Sequence, residues 1–486
     1  MVTSERTFFG HPWGLATLFG TEMWERFSYY GMRAILVLFL TAPAARNGMG
    51  LDDATAAGLY GIYVGAVYLT ALAGGWVADR LFGARRTVLY GGFVIMCGHI
   101  SLAVPSNGVT VWLGLCLIAF GSGLLKGNIS TMVGELYRDS PDRRRDAGFA
   151  LFYLGVNLGA FLGILIVPMI APADGDTWHR GFSLAAIGMA LGLVQYVLGR
   201  KSLKGAGAEP THRLTSAERA RFLRVLLLSV LAVVAVLLLW WWSGTFTLSR
   251  FTLAFTIVCA VVPIAYFAFL FRSPEVTAAE RVKLRAYVWL FLAAAIFWMI
   301  YDQAGSALTF FAADNTDLNV FGVSIDPGQV SNVNSIAIIA LSPVFSKIWD
   351  RYGDRISIPA RFAVALVLVG ASFVVMSVAS IQASDGTKVS ILWLTTTYLV
   401  QTVGELFLSP VGLSVTNKLA PRAFLSQMMG VWFLATALGD SIGGQMYKLT
   451  TVVSMPVYYF SLAMSAVVAG LLLFVFVKRV KALMGD

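Results

Sequence analysis

Glu22, Glu25, Arg26, Tyr29, Tyr30 and Arg33 fall within twelve positions of a run of otherwise apolar residues. At about 100° per residue in a helix, all six occupy an arc of roughly 140°. One helix face therefore carries every polar group. The run is long enough to cross a bilayer, and a charge at the bilayer centre costs about 2.5–3.5 kcal/mol, so four charges facing lipid would cost roughly 10–14 kcal/mol. The face must look into protein or into a water-filled cavity. Glu22 and Arg26 are spaced to pair across one turn. A buried staple needs only one charge of each sign; two of each point to a cavity with titratable walls.

Such a helix needs a frame of other helices. Of 486 residues, 58% are hydrophobic and 13% charged, against about 25% charged in an average soluble domain. Transmembrane helices need about 20 apolar residues each, and the chain offers these runs near 14–42, 54–78, 87–105, 109–137, 147–172, 181–199, 223–243 and 249–271. Six more lie near 284–312, 328–349, 358–381, 389–416, 422–447 and 454–477. They are too long for the alternating ten-residue strands of an outer-membrane barrel. The expectation is an all-α membrane protein of fourteen helices, read as six, two and six: a first bundle in 1–200, a linker with two inserted helices in 201–282, and a second bundle in 283–486.

Cytoplasmic loops carry an excess of Lys and Arg. With both termini inside, 28 of the 36 such residues fall on the inner side, among them Arg80, Arg85, Arg86, the run Arg143 to Arg145, and the tail Lys478, Arg479 and Lys481. Arg46, Arg180, Arg250, Lys388 and Lys448 fall outside, and Arg26, Arg33 and Lys126 lie within spans. The net charge of +10 thus reports topology, not affinity for nucleic acid. Cys97, Cys116 and Cys259 sit in apolar runs without metal-like spacing and read as small buried hydrophobes. No cleavable signal peptide is evident.

The turn after the second span reads Asp79-Arg80, Gly83, Arg85, and its counterpart in the last six reads Asp350-Arg351, Gly353, Arg355. This repeat, with six spans on either side, matches the two-halved arrangement of major facilitator transporters. The intervening pair, with "VLLLWWWSGT" and no intramembrane charge, suits a lipid-facing or bracing role.

The stripe Glu22-x-x-Glu25-Arg26-Phe27-x-Tyr29-Tyr30 resembles the ExxERFxYY motif of the proton-dependent oligopeptide transporter family. "GIYVGAVYLTALAGGWVADR" with Tyr68, "FGSGLLKGNIS" with Lys126 and "FYLGVNLGAFLG" with Asn157 extend the likeness. So do "FWMIYDQAGS" with Trp298, Asp302, Gln303 and Ser306, "VGELFLSPVGLSVTNKLAP" with Glu405, Ser409 and Pro410, and "MMGVWFLATALG" with Trp432. The inserted pair is what prokaryotic members show. Ala71 and Ser335 stand where family members commonly have proline. The second span lacks the proton-handling histidine of animal members, and His99 reads as a satisfied packing residue. Proton handling then rests on carboxylates.

The resemblance implies a proton-coupled symporter that imports di- and tripeptides by alternating access, without cofactor or metal, as a monomer in the bacterial inner (plasma) membrane. The chemistry of the residues agrees. A short peptide is a zwitterion with variable side chains, so a general receptor grips its ends. Arg26 and Lys126 suit the carboxylate and Glu405 the ammonium. Asn157 and Asn334 suit the backbone or termini, and Tyr29, Tyr30, Tyr68, Trp298 and Trp432 supply adaptable walls, with Ser409 beside them. A substrate carboxylate that takes over Arg26 and Lys126 would leave Glu22 and Glu25 free to accept protons. Arg33 and Asp302, toward the outer ends of their helices, would latch the outer mouth. There is no HExxH, GxSxG or GxxxxGK[ST] pattern to support an enzyme or an ATP-driven pump. A transporter of another small anionic solute, such as nitrate, stays open as the alternative, although nitrate-carrying relatives tend to lose the paired glutamates.

Overall fold

A computed structural model of the chain describes residues 7–105, 108–138, 142–210 and 213–485. The first six helices are α1 (Trp13–Thr41), α2 (Asp53–Val77), α3 (Ala84–Ala103), α4 (Val109–Leu136), α5 (Asp142–Ile170) and α6 (Trp178–Gly199). The inserted pair is α7 (Ser216–Trp242) and α8 (Leu248–Arg272). The remainder is α9 (Ala278–Tyr301), α10 (Ala307–Asn315), α11 (Asn332–Tyr352), α12 (Ile358–Gln382), α13 (Leu392–Leu419), α14 (Leu425–Met446) and α15 (Met455–Met484).

Fourteen crossings follow from these fifteen helices because α9 and α10 are one span interrupted by a 3-10 turn at Asp302–Gly305. The sequence predicts an unbroken span there. Ser306, with φ −136° and ψ −90°, leaves the helical region, and a side chain at Gly305 would collide with the Tyr60 hydroxyl. By length and composition alone, eleven helices among the described residues qualify as membrane spans. Of the long helices, α1, α11 and α14 are not among them. These bring the α1 stripe, Asn334 and Asp440 toward the middle of the bundle.

Helix ends follow local chemistry. Thr215 and Thr277 cap α7 and α9 in reciprocal boxes with Glu218 and Glu280, satisfying backbone donors that a helix start leaves free. Asp52 caps α2, accepting from the Thr55 backbone N–H at 2.9 Å. The two repeated turns share a sequence pattern but not a backbone: Gly83 has φ +77°, whereas Gly353 has φ −55° and opens a 3-10 turn.

Apolar association between helices has no hydrophobic drive in lipid, so close packing relies on small residues. Gly155, Gly159 and Gly163, at four-residue spacing on α5, face Phe19, Met23 and Phe27 of α1. Gly188 and Gly192 on α6 face Phe27 and Trp24. These faces enclose the charged helix. The halves meet along α2 and α14 and along α5 and α11. On the first seam, a Cβ at Gly61 would sit 2.5 Å from the Asp440 carbonyl oxygen, and one at Gly65 would sit 2.6 Å from the Ser441 hydroxyl. On the second, Gln329 donates to the Leu165 carbonyl at 2.7 Å and Asn332 to the Phe161 carbonyl at 3.1 Å.

The inserted helices differ from each other. None of the apolar window of α7 is buried, and Trp241 and Trp242 are exposed. By contrast, α8 packs on α2 and α14, with the Thr256 hydroxyl donating to the Ser441 carbonyl at 3.2 Å.

Two expectations about packing need correction. Cys259 is buried, but Cys97 is half-buried and Cys116 exposed, because a lipid-facing position is as apolar as a core one. His99 is fully buried, yet neither ring nitrogen has a hydrogen-bond partner among the described residues. The seam beside it, at Gly98, offers backbone and Ile118 in place of a polar side chain.

Candidate functional site: a polar cavity between two bundles

On α1, Arg26 lies between the two glutamates. Its Nε donates to Glu22 Oε1 at 2.7 Å and lies 3.1 Å from Glu25 Oε2. All three side chains are buried, and Glu22 Oε2 and Glu25 Oε1 have no hydrogen-bond partner among the described residues. Two carboxylates thus share one guanidinium. The second cation comes from α4, where the Lys126 ammonium lies 4.5 Å from the ring centroids of both Tyr29 and Tyr68. Such ring faces stabilise a cation by about 0.5–2 kcal/mol. No carboxylate lies within ion-pair distance of Lys126 among the described residues.

Arg33 occupies the far end of the same stripe. Its Nη2 lies 2.9 Å from Asp302 Oδ1 of the other half, its Nε donates to the Tyr60 hydroxyl at 2.8 Å, and the Tyr29, Tyr30 and Tyr60 rings surround its guanidinium. This pair, the α2–α14 seam and the α5–α11 bonds close one end of the space between the halves.

Below that end lies a cavity of about 310 Å³, within the range of small-molecule sites, about 300–1,000 Å³. Its first wall carries Tyr30, Arg33, Tyr60, Tyr68, Tyr153 and Asn157; its second carries Trp298, Tyr301, Asp302, Asn334, Gln401, Glu405 and Ser409. Glu405 Oε2 accepts from the Tyr301 hydroxyl at 2.5 Å and from Asn334 Nδ2 at 3.4 Å, and Asn334 also donates to the Thr402 hydroxyl at 2.8 Å. Glu405 is held by neutral donors, with no cation within ion-pair distance among the described residues. Ser409 Oγ, Gln401 Nε2 and Trp298 Nε1, on residues that line this wall, are buried without a hydrogen-bond partner among the described residues. Among the described residues, no group of three or more His, Cys, Asp or Glu could hold a metal ion.

Of the residues singled out in the sequence, Tyr30, Arg33, Tyr68, Asn157, Trp298, Asp302, Asn334, Glu405 and Ser409 converge on the cavity. Glu22, Glu25, Arg26, Tyr29 and Lys126 form an adjoining cluster, joined to it through Tyr30 and Tyr68. Trp432 belongs to neither. It is buried against Gly412 and Phe362 and backs α13, the helix that bears Glu405; an aromatic residue in an apolar span suits core packing as well as a binding wall.

Tyr60, Tyr153, Tyr301, Tyr398, Gln401 and Asp440 were not singled out. Tyr301 had a signal, since it lies three residues after Trp298 on the same helix face. Asp440 had a stronger one, as the only carboxylate in "GVWFLATALGDSIGG".

Comparison with known proteins bears on the fold and the family. A di-/tripeptide transporter of Lactococcus lactis subsp. cremoris is 41% identical over 493 residues, covering 99% of this chain and 98% of its own. A crystal structure of a peptide transporter POT in complex with sulfate superposes with a TM-score of 0.94 at 42% identity, covering 99% of this chain and 98% of that one. A POT family transporter in complex with a thioalcohol conjugated peptide gives a TM-score of 0.93 at 36% identity, with 98% of both chains covered. The sequence profile of the POT family matches residues 85–462; the α1 stripe precedes that stretch but lies within the full-length relatives. With its fourteen crossings in two six-helix bundles and an inserted pair, a major facilitator fold, the chain is a multi-pass membrane protein and belongs to the POT family.

Proposed function

We propose that the chain is a proton-coupled symporter that imports di- and tripeptides across the bacterial plasma membrane by alternating access, without a cofactor and as a monomer. With both termini cytoplasmic, the end sealed by Arg33 and Asp302 faces outward. The observation that carries the reading is Glu405: a carboxylate without a cation, held by Tyr301 and Asn334 on a cavity wall, opposite a half rich in cations. An incoming ammonium supplies the missing charge, and such charge-assisted bonds are about twice as strong as neutral ones.

At the other terminus the substrate carboxylate meets Lys126, which exchanges ring faces for an ion pair, and then Arg26. Each cation drawn toward substrate leaves Glu22 and Glu25 with less positive charge nearby, and a proton takes its place. Peptide and proton therefore travel together. Arg33 and Asp302 act as the latch of the outer mouth. The nitrate alternative gains nothing from the relatives, whose names specify peptides, and nitrate has no ammonium for Glu405.

Uptake of labelled dialanine into proteoliposomes under an inward proton gradient tests this. Gradient-dependent accumulation, displaced by unlabelled dialanine and indifferent to nitrate, is the expected result. Uptake that ignores the gradient would remove proton coupling, and displacement by nitrate alone would restore the alternative.

A further inference from the structure

Helix α7 lines neither the cavity nor the seams, yet it is the most apolar span of the chain, with a mean hydropathy of 2.9 over a window of which none is buried. Every residue from Leu223 to Leu239 is exposed. Only Phe222 and Trp240 of α7 are half-buried, and they stand 18 residues apart. At about 100° and 1.5 Å per residue, that separation returns to the same helix face after roughly five turns, about 27 Å along the axis. At one end Phe222 packs on Trp76 of α2, with ring centroids 4.4 Å apart. At the other, Trp240 packs on Phe246 at 5.2 Å, and Phe246 on Phe251 of α8 at 6.1 Å. Between these ends Leu226, Ser229, Val233 and Val236 lie within about 40° of the same line, and all are exposed. The helix is pinned at both ends and held off the bundle between them.

In a bilayer such a gap fills with acyl chains, and the charge at its Phe222 end selects the lipid. From Arg200 to Arg224 the chain carries seven Lys or Arg against two Glu, a net +5, and Glu218 is engaged in the Thr215 cap. Arg219 and Arg221 are exposed, and no carboxylate lies within ion-pair distance of either among the described residues. They project about 60° and 100° to either side of Phe222, and so flank the mouth of the gap. Arg80, also exposed, stands on the bundle side of that mouth, where its carbonyl accepts from the Leu214 N–H at 3.4 Å. Guanidinium groups around the entrance to an apolar gap complement a phosphate that carries acyl chains. A second copy of the chain is a poor complement, because it would bring the same +5 segment to this end.

We propose that the gap between α7 and the bundle is a binding site for an anionic phospholipid, with its headgroup phosphate among Arg80, Arg219 and Arg221 and its chains against the Leu226–Val236 face. The proposal needs only the membrane setting and is independent of the transport reading. It gives the inserted helix a task that its lack of packing otherwise leaves without a cause: α7 is the outer wall of a lipid site whose inner wall is α2.

Phosphatidylglycerol with a photoreactive diazirine in one acyl chain tests this in phosphatidylcholine vesicles holding the full chain, with a diazirine phosphatidylcholine as the neutral probe. Cross-linked residues are mapped by peptide mass spectrometry. Helix α15 is the internal control, since Leu471 and Leu472 are exposed and Lys478 and Arg479 follow on the same helix. The anionic probe is expected to mark the Leu226–Val236 face several-fold more than the neutral probe, and by a larger ratio than on α15. In Arg219→Gln/Arg221→Gln the α7 excess should disappear while marking of α15 stays as in wild type, which also reports an intact bundle. Equal ratios on α7 and α15 would overturn the proposal, as would an excess that survives the double substitution. Disulfide-linked dimers of Val233→Cys in a cysteine-free background would overturn it too, by showing that a second copy covers this face.

Discussion

The two walls of the cavity are built on opposite plans. The first, taken with the cluster that adjoins it, draws most of its charge from one helix: Arg33 lines the cavity, Glu22, Glu25 and Arg26 of α1 lie beside it with Lys126 of α4, and the carboxylates lean on Arg26 at 2.7 and 3.1 Å. The second gathers Tyr301, Asn334 and Glu405 from three helices and holds its carboxylate with neutral donors. The first wall is a local charge balance that a ligand can disturb; the second is a vacancy for positive charge that a ligand can fill. That division suits a zwitterion, and it assigns proton exchange to one wall and amine recognition to the other.

The comparison breaks most completely if the second wall loses its charge. Glu405→Gln keeps the shape and removes the counter-ion of the substrate ammonium. Loss of a charge-assisted buried contact, about 2–3 kcal/mol, predicts a rise in KM for dialanine of roughly 30- to 150-fold, read from uptake against concentration. N-acetylated dialanine should discriminate little between wild type and variant.

On the first wall, Glu22→Gln and Glu25→Gln should separate binding from coupling. Each variant is expected to lose gradient-driven accumulation while retaining exchange of labelled for unlabelled peptide across vesicles at equal pH. Loss of both activities together would assign the glutamates to architecture instead.

The latch between the walls should be sensitive to space as well as to charge. Gly61→Val places carbon where the Asp440 carbonyl now lies 2.5 Å from an ideal Cβ, and overpacking of this kind costs about 1–3 kcal/mol. Outer closure should weaken, read as a longer distance between spin labels at the exposed positions Ala45 and Val323, while α1 chemistry is untouched. Exchanging the Arg33 and Asp302 charges should recover part of the uptake that Arg33→Ala abolishes.

Asp326 should give the smallest effect. Lying in the loop before α11, it accepts from the backbone N–H groups of Ala173 at 2.7 Å and Gly328 at 2.8 Å, and so ties the halves together. Burial pushes its carboxyl above the ordinary aspartate value, although these two N–H groups pull it back. A folded value above the unfolded one favours the sealed end at low pH, with that contribution lost as pH rises through the aspartate range. Asp326→Asn should flatten this shallow acid dependence in thermal unfolding of the purified protein and change uptake less than twofold.

The sequence is most readable where function is concentrated on one element. The α1 stripe is apparent from helical periodicity alone, because charge in an apolar run is expensive and six polar groups share one face. Most crossings are legible from hydropathy, eleven of them by length and composition alone among the described residues, whereas α1, α11 and α14 carry too many polar groups and the break at Asp302–Gly305 depends on Tyr60 from another helix. The second wall is less accessible to such reading: Glu405, Asn334 and Tyr301 lie far apart in the chain, and only the family likeness drew the first two together. Trp432 shows the limit of that likeness, since residue type does not separate a binding wall from the packing behind it. Asp440 shows the opposite omission. The physical argument applied to α1 holds for any lone acid in a membrane helix, but a single residue makes no pattern.

The coupling of the two walls is tested most directly by following peptide and proton in the same vesicles. Proteoliposomes loaded with a pH-sensitive dye receive labelled dialanine outside, at equal pH and with the membrane potential clamped. The account predicts acidification of the lumen in step with dialanine entry, and none for Glu22→Gln or Glu25→Gln. Entry of dialanine with the lumenal pH unchanged would contradict it.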